Sequence, residues 1–456
     1  MINELHFLDS KQILTDADSL KKYGKDWTNY FDIKASAVLL PKTTDEVVKI
    51  VQWARKNKVA LVPSGGRTGL SGAACALNNE VVISFDLMNQ IKDFNSVEQT
   101  VICEAGVITE ALQNWAKDRH LFYPVDFAAR GSSQIGGNVA TNAGGIKVVR
   151  YGLTRDWIVG LKAVTGKGEV LELNNSLIKN ATGYDLRHLM IGSEGTLGFI
   201  TEVTVRLLPQ PANSQVLFLS VPNLELVMNI FSEFKQNTTL VAFEMLSQIA
   251  LEYVLKSTQL TSPLQQQSPY YLVVEVENKS EEEEKKILEV FEKCSEKSWI
   301  TDGALAQSES QAKTFWRLRE DISESLSKYS PYKNDISVAI AKVPDFMADL
   351  EKILKPAYPD WTVIWFGHIG DGNLHINILR PDNMTKETFV SECRKVDALV
   401  FDCVKKYKGS ISAEHGVGLT KKSFLHYTRS AAEIEIMKGI KSIFDPDGIM
   451  NPGKIF

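Results

Sequence analysis

The chain has 456 residues, of which 44% are hydrophobic and 23% are charged, and its formal net charge is −5 at pH 7. A chain of this length can hold two or three domains, each with its own core. A mildly acidic balance with both signs interspersed excludes a protein that binds nucleic acid through its bulk charge. No run approaches the ~20 apolar residues of a membrane-spanning helix.

The first residues and the cysteines predict a cytoplasmic protein. The opening stretch MINELHFLDSKQILTD carries acidic residues early and has no continuous apolar core, so we expect neither a signal peptide nor a transit peptide. The five cysteines form no CxxC pair, which is typical of reduced, buried thiols rather than of a disulfide framework. Contact with the inner face of a membrane stays open.

The first half of the chain alternates short β runs with helices. Residues 1–34 are predicted to be a mostly helical lead-in, and β runs begin at Ala37. A helix is expected from Thr43 to about Asn57, because threonine and aspartate side chains accept hydrogen bonds from the first amides of a helix. The pattern indicates an α+β architecture.

Three glycine-dense loops punctuate this region, at Ser64–Gly72 (SGGRTGLSG), Gly131–Gly145 and Gly192–Gly198. Glycine removes the side chain that would keep a phosphate from backbone amides, so such loops suit phosphate binding. The first loop matches neither GxGxxG nor GxxxxGK[ST], so neither a Rossmann site nor a P-loop is supported. Each loop alone is compatible with an ordinary surface turn, but together they predict an extended phosphate-bearing ligand.

The pattern of predicted elements changes from about Gln210, where hydrophobic strands alternate with amphipathic helices. We expect a second domain here, built on an antiparallel sheet that helices cover on one side. Within it, Arg319 and Ser323 are four residues apart on a predicted helix, and Lys333 follows a Pro331-Tyr332 turn. Taken alone, Arg319 and Lys333 are interpreted as surface charges rather than as functional residues.

A histidine-bearing hairpin is predicted at His368–Asn377 (HIGDGNLHIN). A strand-like run ends at Gly367, and Gly370–Asn373 has the composition of a tight turn. His368 and His375 should converge from the two strands, with Asn377 on the same face as His375. Two such histidines are also compatible with a structural zinc site or with buried core residues.

Six motifs in order resemble flavoproteins of the vanillyl-alcohol oxidase type, also called the PCMH type: PSGGRTGLSG, GSSQIGGNVATNAGG, GSEGTLGFITEV, HIGDGNLHIN, SAEHGVG and DPDGIMNPGKIF. The resemblance covers Ala35 to Phe456 and points to the branch of D-2-hydroxy-acid dehydrogenases. Within that branch the chain is most similar to D-2-hydroxyglutarate dehydrogenases, with D-lactate dehydrogenases and the flavin subunit of glycolate oxidase as near relatives.

The resemblance implies an α+β fold with three parts after the lead-in. Residues 35–210 would form a PCMH-type FAD-binding domain of two α+β subdomains. Residues 211–430 would form an α+β substrate- and metal-binding cap domain with an antiparallel sheet, and residues 431–456 would return to the FAD-binding domain.

The resemblance also implies which residues hold the cofactor. The expected FAD-binding residues are Ser64, Gly65, Gly66, Arg67, Thr68, Gly69, Ser133, Gly136, Asn138, Thr141, Gly145, Gly195, Ile200 and Asn451. Arg67 stands where members with covalent flavin often carry histidine, so non-covalent FAD is expected.

For the second domain, the resemblance implies a divalent metal held by His368, His375 and Glu414, with His415 as the general base. Two neutral imidazoles and one carboxylate leave positions open for substrate, as in catalytic zinc sites, so zinc is favoured over manganese and iron. Histidine's ordinary pKa suits a base near neutrality.

The same resemblance gives four substrate-binding positions, Arg319, Ser323, Lys333 and Asn377. Arg319 and Lys333 would bind substrate carboxylate. Ser323 occupies a position where threonine is expected, which leaves the preference between a long diacid and lactate open.

The expected activity is oxidation of a D-2-hydroxy acid, with D-2-hydroxyglutarate favoured, to the 2-oxo acid by hydride transfer to FAD. A quinone or an electron-transfer flavoprotein, rather than NAD, would take the electrons, and no nucleic-acid partner is expected. A homodimer is one oligomeric state that is compatible with the sequence. The alternatives are a D-lactate dehydrogenase, a glycolate oxidase flavin subunit, a flavin-binding subunit without turnover of its own, and, from another class, a metallohydrolase with a nucleotide-binding domain.

Overall fold

The structure is a computed structural model that describes residues 4–28, 30–211 and 213–456. The chain divides into two compact units. The first comprises Met1–Gly145, Gly152–Gln210 and Glu414–Phe456, and the second comprises Ile146–Tyr151 and Pro211–Ala413. The chain passes to the second unit after Gln210, at the predicted boundary, but it returns at Glu414 rather than at residue 431.

The first unit begins with a four-stranded sheet in the order β1-β2-β4-β3. Its strands are β1 (Ile13–Leu14), β2 (Ala37–Leu39), β3 (Leu61–Ser64) and β4 (Val81–Ser84). The lead-in therefore supplies an edge strand as well as one short helix, because β1 pairs antiparallel with β2. The expectation of a mostly helical lead-in does not hold.

A five-stranded antiparallel sheet follows in the order β5-β6-β10-β8-β9. Its strands are β5 (Ile91–Asn95), β6 (Thr100–Glu104), β8 (Ile158–Thr165), β9 (Val170–Leu173) and β10 (Gly198–Arg206). Two short strands, β7 (Leu121–Phe122) and β11 (Leu208–Pro209), pair with each other. The glycine loops predicted from the sequence connect elements of these sheets.

The helices of the first unit are α1 (Ala17–Tyr23), α2 (Thr44–Asn57), α3 (Thr109–Lys117), α4 (Ile135–Thr141), α6 (Arg187–Met190) and α14 (Ala431–Phe444). Helix α2 confirms the predicted start and end. The Thr43 side chain accepts a hydrogen bond from the Glu46 amide, and Lys58 ends the helix in the left-handed conformation.

The second unit is built on a seven-stranded antiparallel sheet in the order β15-β12-β14-β13-β17-β18-β16. Its strands are β12 (Ser214–Val221), β13 (Leu240–Ser247), β14 (Tyr270–Glu277), β15 (Asp302–Leu305), β16 (Tyr332–Ser337), β17 (Val363–Gly367) and β18 (Asn373–Ile378).

Helices cover both faces of this sheet, so the expectation of one covered side is wrong. They are α5 (Val148–Tyr151), α7 (Leu224–Asn237), α8 (Gln248–Ser257), α9 (Glu281–Glu296), α10 (Glu309–Glu320), α11 (Ile322–Ser327), α12 (Val343–Ala357) and α13 (Lys386–Lys406). Phe315 of α10 packs on Phe218 at one face, and Phe231 of α7 packs on Phe243 at the other. Residues 216–221 of β12 and every residue of β13 are buried, which is the pattern of a sheet covered on both sides.

The short helix α5 belongs to the second unit although the chain around it belongs to the first. Lys147 lies 3.4 Å from the Glu275 carboxylate, and Arg150 donates to the Glu277 carboxylate at 3.0 Å. These ion pairs attach the Ile146–Tyr151 segment to strand β14.

The predicted hairpin is confirmed, with β17 and β18 joined by residues 368–372. In the pairing register His375 stands opposite Phe366 on one side and Asp335 on the other. Asn377 likewise stands opposite Lys333. Directly paired residues share a face of an antiparallel sheet, so these side chains line one surface.

The five cysteines are all buried and none is in a disulfide, which confirms the prediction for Cys75, Cys103, Cys294, Cys393 and Cys403. Among the residues described, no helix combines the length and the apolar character needed to cross a membrane.

Candidate active site

A cleft in the first unit is walled by the three glycine loops. Its open volume, counting the space that communicates with solvent, is about 890 Å³. The wall consists of Asp26, Pro63, Gly65, Gly66, Arg67, Thr68, Gly69, Ser71, Ala73, Ala74, Phe85, Ala105, Gln134, Gly136, Gly137, Asn138, Ala140, Thr141, Glu194, Gly195, Gly198, Phe199 and Ile200.

The glycines of this cleft have two distinct structural roles. A Cβ on Gly66 would lie 2.2 Å from the Ser132 carbonyl oxygen, so glycine allows the first loop to touch the second. A Cβ on Gly137 would meet no atom within 4 Å and would only project into open space. The first glycine lets the wall pack, and the second leaves room for a ligand close to the backbone of α4.

Buried carboxylates also stand at the cleft. Burial raises the pKa of Asp26, whose carboxylate accepts hydrogen bonds from the Gly72 amide at 2.7 Å and from Thr28. Arg67 pairs with Asp86, with 3.3 Å between Nη1 and Oδ1, and its guanidinium lies over the Tyr23 ring. The first glycine loop is thus fixed by charged side chains on both flanks.

Glu194 links the third glycine loop to the SAEHGVG segment within the first unit. Its carboxylate accepts hydrogen bonds from the amides of Val417 at 2.7 Å and Gly418 at 2.8 Å. Burial raises the Glu194 pKa to about 7, against the effect of these two amides. A Cβ on Gly416 would lie 2.8 Å from the Glu194 carboxylate, which explains glycine there. Glu194 therefore fixes the backbone just after Glu414 and His415.

The second unit gathers the two hairpin histidines. The ring centroids of His368 and His375 are 5.2 Å apart with the planes at 84°, and both residues are buried. The sequence-predicted convergence is therefore confirmed.

Each imidazole turns its Nδ1 atom toward a buried carboxylate. His368 Nδ1 lies 2.8 Å from Oε1 of Glu244, and His375 Nδ1 lies 3.7 Å from Oδ1 of Asp335. The Asn373 amide donates to the same Asp335 oxygen at 2.8 Å and holds it in place. A carboxylate at Nδ1 keeps the proton there and leaves the Nε2 lone pair for a metal.

Negative charge is concentrated around the two rings. Glu244 and Asp335 are buried, and burial together with these two carboxylates raises the pKa of Asp371 to about 6, against the effect of His368. The Arg319 guanidinium faces Glu244, with 2.8 Å between Nη2 and Oε2. A divalent cation fits this donor set, because it would offset the remaining carboxylate charge and use the imidazole nitrogens.

Comparisons with known proteins decide the family. Residues 35–174 match the FAD binding domain family, and residues 210–455 match the C-terminal domain family of FAD linked oxidases. A Stutzerimonas stutzeri (strain A1501) protein named D-2-hydroxyglutarate dehydrogenase is 55% identical across 100% of this chain and 98% of its own length.

The chain belongs to the FAD-linked oxidases.

Other relatives of this FAD-linked oxidase carry two different names. A Xanthomonas citri pv. viticola protein named D-2-hydroxyglutarate dehydrogenase is 50% identical over 98% of this chain and 94% of its own. A provisionally named mitochondrial D-lactate dehydrogenase of Schizosaccharomyces pombe is 38% identical over 98% of this chain and 86% of its own. The predicted flavoprotein oxidoreductase class is confirmed, and the metallohydrolase alternative finds no support.

Solved structures of low sequence identity share the fold. Alkyldihydroxyacetonephosphate synthase matches with a TM-score of 0.77 at 18% identity, over 99% of this chain and 85% of that one. A p-cresol methylhydroxylase with bound substrate matches with a TM-score of 0.76 at 14% identity, over 100% of this chain and 96% of that one. The predicted PCMH-type α+β fold is confirmed.

Most of the FAD-binding residues predicted for this oxidase line the cleft: Gly65, Gly66, Arg67, Thr68, Gly69, Gly136, Asn138, Thr141, Gly195 and Ile200. Ser64, Ser133, Gly145 and Asn451 are not in its wall. Ser133 bonds to Thr109, and the Asn451 amide donates to the carbonyls of Ala73 and Glu194 at 2.9 and 2.7 Å. These two side chains therefore stabilise the loops through hydrogen bonds without lining the cleft.

The predicted substrate residues lie in different surroundings in the second unit. Arg319 is 5% exposed and its guanidinium lies 4.9 Å from the centre of the Phe366 ring. Burial lowers the pKa of Lys333, so an anion beside it would favour its charged form. Asn377 is 1% exposed, and its Nδ2 atom has no hydrogen-bond partner in the described part of the chain.

Ser323 departs from the expected arrangement, because it is exposed and does not share a continuous helix with Arg319. Helix α10 ends at Glu320, Asp321 intervenes, and α11 begins at Ile322. The helical spacing of four residues therefore does not place Ser323 on the stripe of Arg319.

Glu414 and His415 open the last segment of the first unit, whereas His368 and His375 belong to the second. The Glu414 Oε1 and His415 Nε2 atoms are 3.6 Å apart. The predicted metal ligands thus come from both units of the chain.

Sequence reasoning missed Glu194, Glu244, Asp335 and Asp26. The one available signal was a carboxylate within an otherwise apolar strand, as in Ala242–Leu246 (AFEML), since a buried charge needs a partner.

Proposed function

We propose that this FAD-linked oxidase oxidises a D-2-hydroxy acid, D-2-hydroxyglutarate first among candidates, to the corresponding 2-oxo acid. The observation that carries the proposal is full-length identity of 55% and 50% to two proteins named D-2-hydroxyglutarate dehydrogenase. The buried histidine pair with its carboxylates supports it independently, since that arrangement suits metal-assisted oxidation of a hydroxyl.

The cleft of the first unit is the proposed FAD site. The amides of residues 65–69 and the α4 residues Gly136 and Asn138 would hold the diphosphate and the adjoining sugar, where glycine leaves the backbone accessible. FAD, when bound, supplies the acceptor for the hydride. Arg67 offers no nucleophilic ring nitrogen at the covalent-attachment position, which supports non-covalent binding.

His368 and His375 are the proposed metal ligands in the second unit, through their Nε2 atoms, with Glu414 as the third. A divalent metal, zinc first, supplies Lewis acidity that lowers the pKa of the substrate hydroxyl. Glu244, 2.8 Å from Nδ1 of His368, would orient that ring with Nε2 toward the metal, and Asp335 lies 3.7 Å from Nδ1 of His375 on the corresponding side of the other ring.

His415 is the proposed general base. It takes the hydroxyl proton of the substrate while the Cα–H bond breaks, and the departing hydride carries the two electrons of that bond as the carbon–oxygen double bond forms. The hydrogen bonds from residues 417 and 418 to Glu194 fix the backbone two residues beyond this side chain.

Lys333 and Arg319 are the proposed carboxylate-binding groups, and Asn377 offers a buried amide to the substrate. Ser323, if it contacts the substrate, does so from an exposed position on α11. The electrons then pass to an acceptor other than NAD, a quinone or an electron-transfer flavoprotein.

A D-lactate dehydrogenase is the second candidate. Arg319 is already paired with Glu244, and Ser323 is exposed, so the second carboxylate of a diacid has fewer groups reserved for it than the sequence suggested. The S. pombe relative supports the same alternative.

A substrate panel tests the proposal. Steady-state rates with an artificial electron acceptor are compared for D-2-hydroxyglutarate, D-malate, D-lactate and glycolate, with the L-enantiomers as controls. The proposal expects the highest kcat/KM with D-2-hydroxyglutarate, and a clear preference for D-lactate would establish the second candidate instead.

A further inference from the structure

Glu244 occupies an unusual position for a carboxylate. It lies in the middle of strand β13, in which every residue is buried, and its side chain is 1% exposed. A buried carboxylate surrounded by apolar side chains is costly unless its charge is paired and its oxygens accept hydrogen bonds. Its partners therefore have to explain why it is there.

Each oxygen of Glu244 faces a nitrogen of a different part of the proposed site: Oε1 is within hydrogen-bonding distance of His368, whereas Oε2 forms an ion pair with Arg319 that lacks hydrogen-bond geometry. Oε1 lies 2.8 Å from Nδ1 of His368, a predicted metal ligand. Oε2 lies 2.8 Å from Nη2 of Arg319, a predicted carboxylate-binding residue on helix α10. The Glu244 side chain thus faces both His368 and Arg319.

Two further carboxylates, Asp335 and Asp371, belong to the same cluster. Asp335 faces His375 and accepts from Asn373, whereas Asp371 accepts from the Asn373 backbone amide. Asp335 serves as the comparison for Glu244, because it faces the other imidazole and its Oδ1 accepts from an amide.

The chemistry of a carboxylate matters here, since it can accept on two sides at once whereas an amide has one oxygen. An amide at position 244 would keep its oxygen toward the guanidinium, the stronger donor, and turn its NH2 group toward His368. His368 would then have to accept at Nδ1 and carry its proton on Nε2, the atom needed for metal.

We infer that Glu244 is a positioning residue that couples the proposed metal site to the proposed carboxylate-binding site by holding His368 and Arg319 at the two oxygens of one carboxylate. The inference rests on the proposed function for the roles of those two partners. It predicts that changes at Arg319 are felt at the metal site, although Arg319 supplies no metal ligand.

A double-mutant cycle on zinc affinity tests the coupling. Zn²⁺ dissociation constants are measured by chelator competition for the FAD-loaded wild type, Glu244→Gln, Arg319→Met and the double variant, without substrate. Glu244→Gln should weaken Zn²⁺ binding by about 10–100-fold. Arg319→Met should change Zn²⁺ affinity by roughly threefold or more, and that change should be smaller in the Glu244→Gln background.

Matched variants separate coupling from general damage. Arg317→Met removes a cation from the same helix that is half exposed and pairs with Asp321 rather than Glu244, so Zn²⁺ affinity should stay at the wild-type value. Arg319→Lys keeps a positive charge beside Glu244, so it should restore most of the Zn²⁺ affinity that changes in Arg319→Met. Histidine ¹⁵N shifts of metal-free protein should show the His368 proton moving from Nδ1 to Nε2 in Glu244→Gln but not in Asp335→Asn.

The inference is overturned if Arg319→Met leaves Zn²⁺ affinity unchanged, if the two single effects simply add, or if Glu244→Gln leaves the His368 tautomer as it was. If Zn²⁺ affinity depends on Arg319 through Glu244 but the wild type oxidises no hydroxy acid, the proposed function is wrong and the inferred role of Glu244 is retained. The two failures are therefore distinguishable.

Discussion

Glu194 and Gly418 are joined by a hydrogen bond of 2.8 Å from the Gly418 amide to the Glu194 carboxylate, and the neighbouring Val417 amide donates to the same group at 2.7 Å. This carboxylate stands in the wall of the proposed FAD cleft, and the backbone that it holds follows directly on Glu414 and His415. One buried side chain thus connects the cofactor loop of the first unit to the segment that carries a proposed metal ligand and the proposed base.

The first prediction follows from the Glu194 pKa. Burial raises it from 4.5 to about 7, so between these values the folded protein binds a proton that the unfolded chain does not. The free energy of unfolding should therefore fall as pH rises from 4.5 to 7 and level off above. Glu194→Gln should remove this contribution, by at most ~3 kcal/mol. Urea unfolding of FAD-free protein at several pH values checks it, and parallel pH dependences for the two proteins would contradict it.

The second prediction separates the cofactor from the metal. His368→Ala should abolish turnover while FAD stays bound, because His368 belongs to the second unit and the proposed FAD cleft is walled by residues of the first. Visible absorbance after gel filtration measures the flavin, and metal analysis measures the metal. Loss of flavin from the variant would contradict this division of labour.

The third prediction concerns metal removal from the wild type. A chelator should suppress turnover with a D-2-hydroxy acid, and Zn²⁺ should restore it, because the hydroxyl proton is harder to remove without a Lewis acid. Activity that survives complete metal removal would favour a flavin-binding protein whose oxidation chemistry does not involve the histidine pair.

The fourth prediction tests Arg319 against a neighbour of equal charge. Arg319→Ala should raise the Michaelis constant for D-2-hydroxyglutarate, at a cost on the order of 2–5 kcal/mol if the substrate pair is desolvated. Arg317→Ala on the same helix is the control, since Arg317 is half exposed and pairs with Asp321. Equal Michaelis constants for the Arg319 variant and the wild type would remove Arg319 from the substrate site.

The fifth prediction uses the open space above Gly137. Gly137→Leu replaces a helical glycine by a strong helix former, so the FAD-free protein should gain up to ~1 kcal/mol of stability. The same side chain would enter the cleft, and FAD affinity should fall by at least an order of magnitude. Gly439→Leu on α14, where a Cβ also meets nothing within 4 Å, should leave FAD affinity unchanged. Undiminished FAD binding by the Gly137 variant would place the cofactor elsewhere.

Local patterns in the sequence predicted the parts of this structure that depend on local chemistry. The hairpin of His368 and His375 follows from a glycine-asparagine turn between two alternating runs, and helix α2 follows from the Thr43 cap. The glycine loops were predicted to face one ligand together, and residues from all three wall one cleft, where glycine allows close approach of the backbone.

Long-range pairing decided what the local patterns could not. Glu244 reaches His368 only because β13 pairs with β17, and Asp335 reaches His375 only because β16 pairs with β18. These partners are 124 and 40 residues apart in the chain, so no periodicity connects them. The position of Ser323 depended on a local feature instead. The apolar spacing predicted one continuous helix through Arg319 and Ser323, but Asp321 separates α10 from α11.

Metal-assisted hydride transfer to the flavin is tested by anaerobic mixing of the purified, zinc-loaded protein with D-2-hydroxyglutarate while the flavin absorbance is followed. We expect a yellow protein whose visible flavin band bleaches in one rapid phase, and that bleaching should slow by orders of magnitude after zinc is removed. A flavin that stays oxidised with every D-2-hydroxy acid tested, or one that bleaches equally fast without metal, would contradict the account.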